Sequence, residues 1–421
     1  MPGDEKMVGT LMADLFPLSR SITGDGTRAT LRRIGAEIPL DVYEVPSGAP
    51  VLDWTVPDEW NLHRAVLRDP AGEMVVDTAD NNLHVVNYSE PVRGEFDLAE
   101  LSLRLYSLPD RPTLIPYRTS YYHRTWGFCL SDERRAVLGR GRYQVDIDVS
   151  LGPGALTYGE LLVPGRVPDE VLVSTHVCHP NMANDNLTGI AAAVTLACWA
   201  LRDMRRLTYR FLFVPATIGA LAWLAAHKEA LPPIAHGLVL TGLGDTGPLV
   251  YKRSRRGDAP VDQAMTYLVR GRGTTVDWYP YGYDERQYCS PGFDLPVGRL
   301  TRAVHGTYPE YHTSGDNLSF VRPEQVVAAA DVVLELFDIL ETGLVPRNLS
   351  PYGEPQLGRR DLYRRMGGTA NLKSAEMAYL WVLSLADGGH DLMEIAGRAG
   401  LPLPTIVMAA QALRAVGLLD G

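Results

Sequence analysis

Two histidines and an aspartate follow a short apolar segment near the middle of the chain. Residues 171–173 (Val-Leu-Val) predict a buried strand, and His176, His179 and Asp185 come after it. A helical run rich in alanine and leucine then begins at Ile190. Polar groups between a strand and a helix stand where open α/β sheets bind their ligands. Imidazole and carboxylate groups at that position favour a divalent metal ion, above all zinc.

Two of these residues also have a purely structural interpretation. His179 could pack in the interior, and Asp185 could cap the helix that follows it. The presence of all three polar groups at the end of one predicted strand favours the interpretation as a metal site.

Two more candidate ligands follow later strand-like segments. Asp245 comes after the segment 237–240, and His312 lies in a polar loop between Tyr311 and Thr313. The order His, Asp, Asp, His along the chain could form one metal site, or two sites that share a carboxylate. A shared carboxylate holds two ions about 3.5–4 Å apart, which suits the hydrolysis of an amide. Asp245 also follows a glycine, and aspartate is common in such turns for conformational reasons alone.

Amide hydrolysis also requires a general base, usually a carboxylate near the metal ion. We expect it at the end of the strand predicted over 209–214, but residues 215–217 are Pro-Ala-Thr. The acidic candidates elsewhere in this part of the chain are Asp284, Glu285 and Glu310. Of these, Glu285 and Glu310 are our candidates for a substitute base.

The pattern of strand-like and helical segments predicts several domains. From about residue 150 the two kinds of segment alternate, which predicts an α/β domain with a mixed sheet. Residues 42–149 instead show short alternating runs between turns that contain Pro and Gly, which predicts β structure. The last helical segments have helix–turn–helix order, as in a winged-helix module. We therefore predict an α/β domain (1–48 and 126–345), an inserted β-rich domain (49–125), a linker (346–370) and a winged-helix-like domain (371–421).

The composition limits the partners and the compartment. The net charge of −10 on 421 residues argues against a nucleic-acid partner. Residues 371–421 hold three basic and five acidic residues, too little positive charge to neutralise phosphates. We expect this apolar segment to pack on the α/β domain or to form a homo-oligomer. Four scattered cysteines, no signal peptide and no apolar run of ~18–20 residues predict a cytoplasmic protein without a membrane partner.

Six stretches of the sequence are long and specific enough to compare with a known family. They are LFPLSRSITGDG (15–26), DWTVPDEWN (53–61), IPYRTSYYHRTWGFCLS (115–131), STHVCHPNMANDNLTG (174–189), YDERQYCSPGFDLPVG (283–298) and YPEYHTSGDNL (308–318). On the basis of these stretches, the chain resembles the aminopeptidase-like proteins of bacterial polysaccharide and secondary-metabolite gene clusters over nearly its whole length. These are relatives of the co-catalytic zinc aminopeptidases. The resemblance implies a zinc-aminopeptidase-like mixed sheet flanked by helices, a small β-rich insertion and a C-terminal winged helix.

The resemblance also implies roles for individual positions. His176 and Asp185 match the first metal ligand and the bridging aspartate, Asp245 matches the later acidic ligand, and His312 matches the closing histidine. In zinc aminopeptidases two consecutive glutamates serve as base and as second-metal ligand, and residues 216–217, which are Ala and Thr, align with them. Closer relatives keep a glutamate at the first position, in a Pro-Glu-Thr-Ile-Gly-Ser signature. The resemblance thus implies one or two zinc ions, with alanine at the position of the base.

Three residues are candidates for substrate binding. Arg118 and Arg286 offer guanidinium groups that suit a substrate carboxylate, and Tyr311 lies beside a candidate ligand. We expect a metal-dependent amide hydrolase, or a related acyl-transfer enzyme, that acts on a small aminoacyl or peptidyl substrate in secondary-metabolite or polysaccharide biosynthesis. Glu310 or Glu285 would then act as the base. The alternative, which the alanine at the base position favours, is a catalytically silent protein that binds a ligand or a partner.

Overall fold

The computed structural model describes residues 4–362 and 372–420 of the chain. Residues 363–370 of the predicted linker, and residue 371 at the start of the predicted winged-helix-like domain, lie outside the described residues.

The described residues form two compact units. The first unit runs to Ala259 and resumes over Val269–Asp331, and the second comprises Pro260–Leu268 and the chain from Val332 onward. All the residues predicted to bind a metal ion or a substrate belong to the first unit.

Sixteen strands occur in the described residues. In chain order they are β1 (Asp41–Pro46), β2 (Pro50–Val51), β3 (Trp54–Thr55), β4 (Glu59–Arg68), β5 (Met74–Asp77), β6 (Val92–Asp97), β7 (Leu105–Tyr106), β8 (Phe128–Cys129), β9 (Arg142–Gly152), β10 (Ala155–Val163), β11 (Glu170–His176), β12 (Thr208–Val214), β13 (Ile234–Leu240), β14 (Leu249–Lys252), β15 (Gly273–Val276) and β16 (Val297–Thr301). Eight of them form a main sheet, four form a second sheet, and the rest form two short pairs.

Twelve α-helices occur in the same part of the chain. They are α1 (Glu5–Leu15), α2 (Asp25–Gly35), α3 (Leu98–Leu101), α4 (Asp132–Ala136), α5 (Thr188–Ala200), α6 (Ile218–His227), α7 (Pro260–Val269), α8 (Glu285–Tyr288), α9 (Pro323–Thr342), α10 (Leu372–Leu385), α11 (Leu392–Ala399) and α12 (Leu403–Ala415). Of these, α2, α5 and α6 pack against strands of the main sheet.

The main sheet has the strand order β1-β10-β12-β11-β13-β16-β14-β15. Its four central strands, β12, β11, β13 and β16, are parallel, while β1, β10 and β14 join antiparallel to their neighbours. Every residue of β11 and β12 is buried. Parallel strands covered on both faces require such burial, and their sequences are accordingly mostly apolar. The predicted mixed α/β sheet flanked by helices is thus confirmed.

Helix α5 begins just after the loop that contains Asp185. Its sequence, TGIAAAVTLACWA, consists largely of small residues, and all of its residues except Cys198 and Trp199 are buried. Small side chains allow the helix to pack closely against β11, β12, β13 and α1. The end of β11 and the start of α5 are therefore fixed within the core, and the loop between them is anchored at both ends.

The second sheet is antiparallel, with the order β5-β4-β9-β6. Strand β9 belongs to it, so its pairing extends to Gly152, beyond the predicted end of the insertion at residue 125. The chain leaves the main sheet after β1 and returns in β10, where Pro46 lies opposite Ala155. The β-rich insertion therefore begins and ends at two adjacent positions of the main sheet.

The second unit contains a compact set of three helices, α10, α11 and α12. Leu392 and Ile395 of α11 and Ile406 and Leu413 of α12 are buried. Helix α11 ends at Ala399, and the next residue, Gly400, has a φ of +64°, the left-handed conformation that favours glycine after a helix. This arrangement agrees with the predicted helix–turn–helix order.

Two further observations concern the whole of the described chain. None of its helices combines the length and the apolar character that crossing a bilayer requires. The four cysteines, Cys129, Cys178, Cys198 and Cys289, are all free thiols.

Candidate metal centre and cleft

The carboxylate of Asp185 and three imidazole rings form one cluster at the end of β11. His176 Nε2 lies 2.7 Å from Asp185 Oδ1, and His312 Nε2 lies 3.2 Å from Oδ2. His179 Nε2 lies 3.9 Å from the same Oδ2. Ligand atoms of His176, His179 and Asp185 all lie within 4.8 Å of one another. Two imidazole nitrogens and a carboxylate are donors that zinc prefers, so these residues fit a divalent ion.

The loop that carries Asp185 is held by the carboxylate of Asp316. Asp316 Oδ1 accepts the backbone N–H groups of Ala183 at 3.1 Å and Asn184 at 2.5 Å, and Oδ2 accepts that of Asp185 at 2.9 Å. The side chain of Asp185 contacts the histidines instead of capping α5, whose first turn has no side-chain cap. Asp316 therefore positions the backbone from which the carboxylate of Asp185 reaches the cluster.

His176 is held on both sides of its ring. The side-chain nitrogen of Asn186 lies 3.3 Å from His176 Nδ1 and donates a hydrogen bond of 2.7 Å to Thr175 Oγ1. The ring of Tyr283 stacks on the imidazole, with 5.1 Å between centroids and an angle of 17° between planes. Contacts of this kind fix the orientation of a metal-binding imidazole.

His179 is held by a buried arginine and a buried cysteine. Arg20 Nε donates a hydrogen bond of 2.8 Å to the carbonyl oxygen of His179, and Cys178 Sγ lies 3.4 Å from His179 Nδ1. Burial lowers the pKa of His179 to about 3, which keeps the imidazole neutral as a metal ligand must be. Burial opposes the ionisation of Asp185, but the surrounding histidines hold the pKa of its carboxylate well below the usual range.

A cleft of about 420 Å³ opens over this cluster, and His179 and His312 line it. Its walls are largely aromatic. The side chains come from the β-rich insertion and from the loops after β15 and β16: Trp54, Tyr121, Tyr122, Tyr281, Tyr283 and Tyr311. The volume is in the range of small-molecule sites.

Ala216 and Thr217 also line the cleft, so the expected position of the base faces the substrate space. The N–H of Ala216 lies 3.3 Å from Cys178 Sγ, directly beside the cluster. A methyl group cannot accept a proton. No Asp or Glu occurs among the described residues that line the cleft.

Neither predicted substitute base lies in the cleft. Glu285 is fully buried, and its Oε1 lies 3.0 Å from Lys252 Nζ and 3.5 Å from Arg299 Nη1. Glu310 is half-buried in the loop before His312 and does not line the cleft. The structure thus does not place either carboxylate where it could take a proton from a water molecule in the cleft.

Asp245 does not join the cluster either. Strand β13 ends at Leu240, so Asp245 lies five residues beyond the end of the strand, in a turn. Its Oδ1 accepts the N–H of Gly247 at 2.8 Å, and its Oδ2 accepts that of Ala303 at 3.0 Å and the amide of Asn184 at 3.3 Å. The carboxylate of Asp245 thus stabilises turns, which is the alternative role that its sequence context suggested.

The three predicted substrate-binding residues divide between the cleft and the surface. Arg286 and Tyr311 line the cleft, and the ring of Tyr311 stacks on that of His312 with 3.9 Å between centroids. Arg118 is exposed and lies over the ring of Tyr106 at 4.1 Å, outside the lining of the cleft.

Two buried carboxylates near the cluster, Asp284 and Asp316, were given no role from the sequence, although Asp284 was one of the acidic candidates. Asp316 lies within one of the stretches that carry the family resemblance, but its three backbone partners are distant in sequence. Asp284 is fully buried, and neither of its oxygens has a hydrogen-bond partner among the described residues. Burial raises the pKa of Asp284 to about 7, and the neighbouring His176 opposes this rise only in part.

The first unit has an aminopeptidase-like fold. The zinc aminopeptidase BSAP from Bacillus subtilis matches with a TM-score of 0.56 at 13% identity, over 79% of this chain and 94% of that one. A peptidase M28 precursor from Shewanella amazonensis matches with a TM-score of 0.56 at 13% identity, over 79% and 91% of the two chains. At this level of identity the similarity concerns the fold alone.

Closer matches extend over the whole chain. It is 43% identical, over 413 residues, to a Clostridium acetobutylicum protein named "Putative polysaccharide biosynthesis protein with aminopeptidase-like domain", with 97% of this chain and 95% of that one covered. A crystal structure of a "putative peptidase" from the same species matches with a TM-score of 0.91 at 40% identity, over 99% and 96% of the chains.

Two family models together cover almost all of the sequence. The one described as "Domain of unknown function (DUF4910)" matches residues 10–343, and a winged helix-turn-helix model matches residues 344–421. The chain therefore belongs to the DUF4910 family. The resemblance to aminopeptidase-like proteins with a C-terminal winged helix is confirmed.

Proposed function

We propose that this protein is a metal-dependent enzyme that hydrolyses an amide bond, or transfers the acyl group, of a small aminoacyl or peptidyl substrate. One observation carries the proposal. Ligand atoms of His176, His179 and Asp185 lie within 4.8 Å of one another, and His179 and His312 open into a cleft of small-molecule size. The name of the Clostridium acetobutylicum relative supports a place in polysaccharide biosynthesis.

The metal ion that we propose is zinc, held by His176, His179 and Asp185, with His312 as a further donor beside the carboxylate. Their nitrogen and oxygen atoms suit zinc, and BSAP from Bacillus subtilis, which has this fold, is named a zinc aminopeptidase. When bound, zinc supplies a Lewis acid that polarises a carbonyl group and lowers the pKa of a water molecule.

The residues of the chain orient the donors and shape the space above them. Asn186 and Tyr283 fix the ring of His176, Asp316 holds the backbone of Asp185, and burial keeps His179 neutral. No side chain among the described residues that line the cleft supplies the carboxylate that is missing at residue 216. Because a general base contributes about 10²–10⁴-fold to a rate, we expect turnover to be slow.

The second candidate function is a catalytically silent protein that binds a ligand in the same cleft. The observation that favours it is the absence of any Asp or Glu among the described residues of the cleft. Such a protein would bind its ligand with the same aromatic walls and would not need turnover.

Zinc titration and turnover of an aminoacyl-amide panel test the proposal. We expect Asp185→Ala to lower zinc affinity at least about a hundredfold and to abolish turnover, because second-shell changes alone cost 10–100-fold. Asp245→Asn should leave zinc affinity unchanged, since the structure places its carboxylate in a turn. If wild type and Asp185→Ala are equally inert with zinc present, the silent binding protein is the better explanation.

Ala216→Glu is the complementary variant. If only the base is missing, a carboxylate at this position should increase amide hydrolysis, by up to about 10²–10⁴-fold. No increase, in a variant that still binds zinc, would show that the cleft differs from that of a hydrolase in more than one group.

We also propose that the protein works in the cytoplasm and that its C-terminal part does not bind nucleic acid. All four cysteines are free thiols, as a reducing compartment requires. Residues 371–421 contain only three basic residues against five acidic ones.

A further inference from the structure

We propose that the cleft is selective for anionic substrates, such as N-acylated amino acids with a free carboxylate, and that Arg286 binds the anionic group. Substrates with a free α-ammonium group, which an aminopeptidase must bind, would be disfavoured. The inference deepens the proposed function, because it defines the substrate class of the same cleft.

The charged side chains of the cleft are the first argument. Of the described residues that line it, Arg286 alone has a permanent charge, and no Asp, Glu or Lys is present. The remaining ionisable groups are histidines and tyrosines. A substrate ammonium group would therefore leave water without finding a carboxylate, which is unfavourable. An anion would find a guanidinium group.

The second argument is that the guanidinium group of Arg286 forms no hydrogen bond or ion pair with a carboxylate among the described residues, although its charge acts on the nearby buried Asp284. Its Nε is buried and has no hydrogen-bond partner among the described residues. The contact that it does make is with the ring of Tyr281, whose centroid lies 5.5 Å from Cζ. By comparison, the buried Arg210 is bound by both Glu160 and Glu170. Arg286 thus retains donors that match the two oxygens of a carboxylate.

A buried group of charges behind the cleft strengthens the positive potential. Lys252 and Arg299 share a single carboxylate, that of Glu285, so this group has an excess of positive charge. Arg299 Nη1 lies 3.3 Å from Nδ1 of His305, which lines the cleft, and its Cζ lies 5.7 Å from the ring of Tyr283. Coulomb interactions in such a partly buried environment are weakly screened, so the excess charge favours an anion in the cleft.

The aromatic walls determine the rest of the ligand. Trp54 and Tyr122 are each about half exposed, and their rings lie 5.7 Å apart at the edge of the cleft. They can cover a flat or apolar group while Arg286 binds the carboxylate. The ligand class is therefore an acyl amide with a carboxylate and an apolar side group.

Three ligands that share one aromatic ring and differ in charge test the inference. N-acetyl-L-tyrosine is an anion, N-acetyl-L-tyrosinamide is neutral and L-tyrosinamide is a cation. Calorimetric titration of the full chain, with zinc and after removal of metal, gives their affinities. We expect the anion to bind about tenfold or more tightly than the neutral ligand, as for a hydrogen bond to a charged group, and the cation to bind most weakly.

Variants of Arg286 separate its effect from that of the metal ion. Arg286→Gln should bring the anion and the neutral ligand to within about twofold of each other in the metal-free protein, and Arg286→Lys should retain part of the difference. Arg118→Gln is the matched control, because Arg118 lies outside the cleft, and it should change nothing. Circular dichroism confirms that each variant is folded.

Three outcomes would overturn the inference: equal or tighter binding of L-tyrosinamide, a preference for the anion that survives in Arg286→Gln, or no binding of any ligand at millimolar concentration. Failure of the proposed function has a different signature. If no amide is hydrolysed but the preference for the anion depends on Arg286, the protein is a binding protein and the inference stands.

Discussion

Replacement of Asp284 by asparagine should make the stability of the fold less sensitive to alkaline pH. Asp284 is a buried carboxylate without a hydrogen-bond partner in the part of the chain that the structure describes. Burial raises its pKa from an ordinary 3.8 to about 7. Because the folded state holds the proton more tightly than the unfolded state, the wild-type protein should lose stability as the pH rises through this interval.

The size of the effect follows from the two pKa values. The contribution is fully present below about pH 4 and is lost as the pH rises through the folded-state pKa near 7. The difference from 3.8 to about 7, at about 1.4 kcal/mol per pH unit, amounts to about 4 kcal/mol. Between about pH 5 and pH 8 the loss should be about 2–3 kcal/mol. Asparagine does not titrate, so Asp284→Asn should lack this component.

Urea unfolding of both proteins at the two pH values measures the difference. Metal should be removed first, because a cation near His176 would itself lower the pKa of Asp284. Any constant cost of the buried amide cancels when each protein is compared with itself. The same pH dependence in wild type and variant would refute the reasoning, since Asp284 would then be ionised and paired in solution.

Three other substitutions give independent tests. Asp316→Ala leaves the N–H groups of Asn184 and Asp185 without their acceptor, while that of Ala183 keeps the backbone oxygen of residue 316, so the free energy of unfolding should fall by about 2–3 kcal/mol in urea titrations, with a parallel loss of zinc affinity in calorimetry. Glu285→Gln should lower the free energy of unfolding by several kcal/mol, because Lys252 loses its buried partner. If the variant instead lost turnover and kept its stability, Glu285 would be identified as the catalytic base. Arg28, with help from Ala155 and Asn61, holds the pKa of Glu59 near 2, below its ordinary 4.5, so stability should fall between these pH values on acidification, and by less in Arg28→Gln than in wild type.

The parts of the fold that sequence patterns predicted are those with local signals. The apolar run before His176 and the small-residue helix after it are periodic and contiguous, and both appear as β11 and α5. The alternation over residues 42–149 predicts β structure without defining the bounds of β4, and the predicted domain boundary assigns β9 to the α/β domain instead of the insertion. The partners of β9, which are β4 and β6, lie far away in sequence, and the pairing of strands is not encoded in the alternation of a single segment.

The residues of the candidate site also divide into those with a local signal in the sequence and those without one. His176, Asp185 and His312 could be grouped from the sequence because each follows a segment with a clear strand or loop signal. Asp245 could not be excluded, because the sequence shows that it follows a strand but not that its carboxylate is used by backbone N–H groups of the turns around it. The carboxylate of Asp316 holds the backbone of the Asp185 loop by hydrogen bonds between residues more than a hundred positions apart, and a single sequence has no signal for such bonds.

The adjacency of Pro46 and Ala155 in the main sheet has a consequence for how this family can diversify. The β-rich insertion is the segment between these two positions, so a hairpin turn that joined them directly would leave the pairing of the main sheet intact. The insertion contains three aromatic residues of the cleft, Trp54, Tyr121 and Tyr122, whereas the histidines and Asp185 lie outside the insertion. Selection can therefore exchange one wall of the cleft, and with it the range of ligands, without altering the residues that are proposed to hold the metal.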